Sequence, residues 1–83
     1  MEISDFIWND EFLWHIEKKH NVQRYEIREV FANNPQFRKS KKGDRPGEDV
    51  YLAHGKTDAG RYLRVVFIYK KDGRALVLTA YKI

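Results

Sequence analysis

The sequence predicts an α+β fold, a β-α-α-β-β-β chain whose antiparallel sheet is covered on one face by two helices. Three observations carry this. Apolar residues recur at helical spacing twice in the first half, three runs of strand-forming residues fill the second half, and glycine turns separate those runs.

The first strand is read from Ile3, Asp5 and Ile7 alternating with Ser4, Phe6 and Trp8. Asn9 or Asp10 can accept the free N–H groups of a helix start, and Phe12, Leu13 and Ile16 follow at helical spacing, so a helix is expected over Asp10 to His20. Lys18, Lys19 and His20 complement the negative end of its dipole, and Asn21 can take the left-handed turn that stops it. A second helix begins close behind. Gln23 and Glu26 supply half of a capping box, Ile27, Val30 and Phe31 form the apolar stripe, and Pro35 lies beyond the end. Trp8 and Trp14 are expected in the core and in helix packing.

From Gln36 to Asp49 the chain is polar, basic and rich in turn formers, which reads as a mobile loop. Strands are then expected over Val50 to Lys56, Arg61 to Lys70 and Arg74 to Lys82, joined through Asp58-Ala59-Gly60 and Asp72-Gly73. In the middle strand Leu63, Val65, Phe67 and Tyr69 share one side and Arg64, Val66, Ile68 and Lys70 the other. Both sides hold large apolar groups, so alternation alone does not say which one meets the helices.

Composition bounds the rest. Residues 1–83 make one domain, 42% hydrophobic and 34% charged, which suits an ordered body with a modest core. There is no cysteine, hence no disulfide or thiolate metal site, and a cytoplasmic location is expected. No run approaches the roughly 18 to 20 apolar residues of a membrane span, and the first residues lack the pattern of a signal peptide. The net charge of +4 favours anionic partners such as nucleic acid. His15, His20 and His54 occur without HExxH or CxxC spacing, so no metal or other cofactor is expected.

Three segments, FIWNDEFLWHIEKKHNV, YLAHGKTDAGRYLRVVF and GRALVLTAY, together resemble the BrnT family of bacterial type II toxins, small ribonucleases with a RelE/ParE-like fold. The family's Lys-His-Gly-Val helix end corresponds to Lys19-His20-Asn21-Val22, its Gly-Arg-Thr strand end to Gly55-Lys56-Thr57, and its final Ser/Thr-Ala-Arg to Thr79-Ala80-Tyr81. The resemblance implies an endoribonuclease that works without metal, inhibits translation, and is held by a cognate antitoxin with which it forms hetero-oligomers. The alternative is a non-catalytic module of the same fold that binds RNA or a partner protein.

Metal-free RNA cleavage needs a base for the 2′-hydroxyl proton, cations against the phosphate and an acid for the leaving oxygen. Lys56, His54, Arg64 and Tyr81 are the candidate catalytic residues. Arg64 is foremost, because it interrupts the apolar run YLRVVFIY. Arg61, Lys70 and Arg74 on the strands, with Arg38, Lys39, Lys41, Lys42 and Arg45 in the basic segment, are the candidate RNA-binding residues.

Overall fold

A computed structural model describes all residues, 1–83. The chain runs through strand β1 (Asp5–Ile7), helix α1 (Asp10–His20), helix α2 (Arg24–Ala32), and strands β2 (Gln36–Lys41), β3 (Val50–Lys56), β4 (Tyr62–Tyr69) and β5 (Arg74–Lys82). The strands form one sheet in the order β1-β5-β4-β3-β2. No helix is long and apolar enough to cross a membrane.

The caps explain where the helices begin and end. Asn9 accepts the Phe12 N–H at 3.0 Å, and Asn21 takes φ 53°, the left-handed turn that stops α1 and drops Val22 into the core. At the start of α2 the Glu26 carboxylate accepts the Gln23 N–H at 3.0 Å. Ile16, Val22, Ile27 and Val30 then pack on Ala53, Leu63, Val65, Phe67, Ala75, Val77 and Ala80. The Leu63, Val65 and Phe67 side of β4 therefore meets the helices, and the Arg64, Val66 and Ile68 side is open.

Two sheet expectations are corrected. Gln36 to Lys41, expected within a loop, is strand β2, antiparallel to β3. Its single apolar anchor explains why: Phe37 turns inward to Phe31 and Phe67, with ring centroids 5.9 and 6.0 Å away, while the polar neighbours face solvent. Lysine and arginine on such an edge discourage further strand pairing. The sheet is also mixed, because β1 runs parallel to β5 through Asp5↔Arg74 and Ile7↔Leu76. Ser4 fixes that register, donating its N–H to the Gly73 carbonyl at 2.8 Å and its hydroxyl to the Asp72 carbonyl at 3.2 Å.

Trp14 is a third correction. It is 62% exposed, whereas Leu13 and Ile16 occupy the buried face of α1. Trp8 does pack inward, stacked on Phe6 at 5.3 Å.

Small side chains let α2 approach the sheet. A Cβ at Gly55 would lie 3.1 Å from the Pro35 Cβ and 3.2 Å from Val30 Cγ1. Gly55→Val is expected to destabilise the protein by about 1–3 kcal/mol through overpacking, read as a lower urea midpoint. An unaltered midpoint would show that the helix yields at no cost.

Candidate functional site

The site grows from register. On the open face His54 of β3 stands opposite Arg64 of β4, which stands opposite Tyr81 of β5, and Gln36 of β2 extends the same row beyond His54. Arg64 donates from Nε to His54 Nε2 at 2.7 Å and from a terminal nitrogen to the Tyr81 hydroxyl at 3.2 Å. Its guanidinium also lies 5.7 Å from the centre of the Tyr81 ring, and that ring is 5.7 Å from His20 at the end of α1. Of five guanidinium N–H donors, two are used here, which leaves three for a ligand on the open face.

The next pair toward the β3–β4 turn is Lys56↔Tyr62, with the ammonium 5.5 Å from the ring centre. His54, Lys56, Tyr62 and Arg64 line a cleft of about 900 Å³, bounded on the other side by Asn33, Asn34 and Gln36. The turn that closes its end is held firmly. The Asn33 amide donates to the Lys56 carbonyl at 2.9 Å and to Asp58 Oδ1 at 3.0 Å, and Glu29 accepts the Asp58 N–H at 3.0 Å. Gly60, at φ +88°, supplies the left-handed residue that a three-residue hairpin loop requires.

Burial, reinforced by the neighbouring Arg64 and Arg38 charges, lowers the His54 pKa from its ordinary 6.5. The imidazole is therefore neutral at neutral pH, and its Nε2 is an acceptor. Because the unfolded chain binds the proton more readily, the stability this group contributes is complete above 6.5 and is lost as pH falls through the lowered folded value. The unfolding midpoint is expected to drop over that window in the native protein and less in His54→Gln. Parallel curves for the two proteins would remove His54 as the cause.

The structure brings Lys56, His54, Arg64 and Tyr81 together, with Arg38 on the same face opposite Leu52. It does not bring the other cations there. Lys70 follows Arg64 by six positions, roughly 20 Å along an extended strand, and Arg74 sits at that distant end paired with Asp72 at 2.7 Å. Lys39 is paired with Asp49 at 3.1 Å on the opposite side of β2. Lys41, Lys42 and Arg45 are exposed at the far end of the sheet, Arg45 at 4.0 Å from Glu48. Arg61 faces inward to the junction of the helices, where it binds Glu26 at 3.1 Å and the Asn21 carbonyl at 2.8 Å. Between the two ends of the open face Leu52, Val66, Ile68 and Leu76 form an aliphatic stretch of intermediate exposure.

Tyr62, Asn34 and Gln36 were not among the sequence candidates, yet they line the cleft. Tyr62 was detectable, since it shares the open side of the strand with Arg64 by simple alternation. Asn34 and Gln36 carry no such signal, because a polar, turn-rich stretch does not show the alternation that would assign their side chains to a face.

Fold and site together define a small α+β protein with a helix-covered sheet and a row of basic and aromatic groups across its open face. The chain belongs to the family described as Domain of unknown function (DUF4258), whose model matches residues 17–82. Among solved structures it is similar to the 1.1 Å crystal structure of the Brucella abortus ribonuclease toxin BrnT, with a TM-score of 0.68 at 14% identity over 95% of each chain. No curated protein sequence matches the chain. What is shared with BrnT is the fold, two helices on a five-stranded sheet.

Proposed function

We propose that this protein is the toxin of a type II toxin–antitoxin pair and cleaves RNA without a metal ion, thereby inhibiting translation. The observation that carries the reading is the continuous His54, Arg64 and Tyr81 row on the open sheet face, with the Lys56 ammonium beside it in the same cleft. The fold shared with a ribonuclease toxin supports it.

In this reading the three unspent N–H donors of Arg64 meet a phosphodiester and stabilise the charge that builds on its oxygens. Turning to the phosphate releases His54 Nε2, whose neutral lone pair takes the proton of the ribose 2′-hydroxyl. The 2′ oxygen bonds to phosphorus, the bond from phosphorus to the 5′ oxygen breaks, and Lys56 protonates the leaving oxygen. The products are a 2′,3′-cyclic phosphate and a 5′-hydroxyl end. Tyr81 acts through Arg64, fixing the plane of the guanidinium. A cognate antitoxin, bound as a hetero-oligomer, and a cytoplasmic location belong to the same proposal.

Purified protein incubated with single-stranded RNA in EDTA tests it: cyclic-phosphate ends are expected. Intact RNA that nevertheless binds the protein would select the second reading, a non-catalytic RNA-binding module. That reading has one observation in its favour, namely that Arg64 is already engaged by two neighbours in the free protein.

A further inference from the structure

The cleft beside Arg64 is larger than a phosphate grip needs, and its far walls are not cationic. Tyr62 is 53% exposed, presents its ring on the open face and stands two residues before Arg64 on the same strand. Side chains so related are roughly 6.7 Å apart along the sheet, a span comparable to that between a nucleobase and its own phosphate. The same cleft is lined by the exposed amide side chains of Asn34 and of Gln36, which lies on the far side of β3 in the row of His54 and Arg64. The neighbouring Asn33 amide, in contrast, is used within the fold, bonded to Lys56 and Asp58.

An aromatic plate, two primary amides and the cations of Arg64 and Lys56, gathered in one cleft, match the parts of a nucleotide. Stacking recognises the flat face of any base, and an amide offers a donor and an acceptor together to a base edge. An unpaired base can use both, whereas a base within a duplex has its faces covered by its neighbours.

We infer that this cleft is a nucleobase subsite for single-stranded RNA: the base stacks on Tyr62, its edge meets the Gln36 amide with Asn34 alongside, and its phosphate reaches Arg64 and Lys56. The inference rests on the RNA-directed reading above and makes it specific, because the base held here sets which phosphodiester lies on Arg64. Gln36 and Asn34 are specificity residues, and Tyr62 is an affinity residue.

The test uses short fluorescein-labelled 2′-O-methyl oligoribonucleotides of A, C or U, which bind but cannot be cleaved through the 2′ oxygen, with affinity read by anisotropy. Tyr62→Ala is expected to weaken binding roughly fivefold to a hundredfold, the range for losing one base–aromatic stack, and Tyr62→Phe to restore it. Gln36→Ala is expected to bring the affinities for the three oligomers closer together. Both side chains are exposed, so neither substitution removes core packing. If Arg64→Ala weakens binding while Tyr62→Ala and Gln36→Ala leave affinity and base preference as they were, the subsite is overturned and the phosphate grip stands. If the unaltered protein binds none of the oligomers, both readings fail.

Discussion

Arg64→Ala is expected to lower RNA cleavage at least about 10²-fold, the loss associated with removing one preorganised transition-state donor. The expectation follows from position: Arg64 is the central member of its row, bonded on one side to His54 and on the other to Tyr81. Removing it takes away the positive charge and also the group that sets both neighbours. Arg64→Lys is expected to recover only part of the rate, because a single ammonium cannot hold His54 and Tyr81 while presenting a planar pair of donors to a phosphate. The fold should tolerate either change. Arg64 lies on the open face and is only partly buried, so the cost of leaving His54 and Tyr81 unpaired is about 1–2 kcal/mol. Cleavage of a labelled RNA under single-turnover conditions, alongside urea unfolding, separates the two effects. A variant that folds and cleaves at the native rate would remove Arg64 from the chemistry and take the proposed mechanism with it.

How much of this was legible in the sequence depended on whether the information was local. The boundaries of α1, at Asp10 and His20, are fixed by the adjacent Asn9 and Asn21 caps, and the β3, β4 and β5 meander by glycine turns at Gly60 and Gly73. Once that meander is drawn, antiparallel pairing puts His54 beside Arg64, but Tyr81 stands opposite Arg64 only because the β4–β5 register shifts by one residue between Val66 and Phe67, so only part of the site's centre was within reach. Long-range choices were not. β2 owes its place to the one side chain of Phe37 reaching Phe31 and Phe67, which a composition-based reading of a basic stretch gives no reason to expect. The parallel pairing of β1 with β5 depends on Ser4 meeting the turn at Gly73, 69 positions later. Trp14 illustrates a different limit: helical periodicity places it near the apolar stripe, but Leu13 and Ile16 define the buried side.

Arg61 is the residue whose sequence assignment and structural setting diverge most, and replacing it is expected to have the larger effect on stability. A cation that opens a strand beside a turn reads as a solvated group or a contact for RNA, yet its partner Glu26 lies 35 positions earlier and is 9% exposed. The pair fastens the start of β4 to α2, and the same guanidinium satisfies the Asn21 carbonyl at the end of α1 at 2.8 Å. Breaking a buried ion pair from one side costs about 3–5 kcal/mol, because the remaining charge is left without its partner. Here the Arg61 side chain retains 26% of its exposure, and water can reach part of the gap, so the expected loss for Arg61→Ala is about 2–3 kcal/mol. Glu26→Ala should cost at least as much, since it also removes the acceptor for the Gln23 N–H that begins α2. The double variant is expected to be less destabilised than the two single losses added together, which a double-mutant cycle in urea measures directly. RNA affinity, compared under conditions where the variants remain folded, should be unaffected by Arg61→Ala. A variant that unfolds at the native urea concentration while losing RNA affinity would return Arg61 to the nucleic-acid surface and leave the β4 start without its anchor.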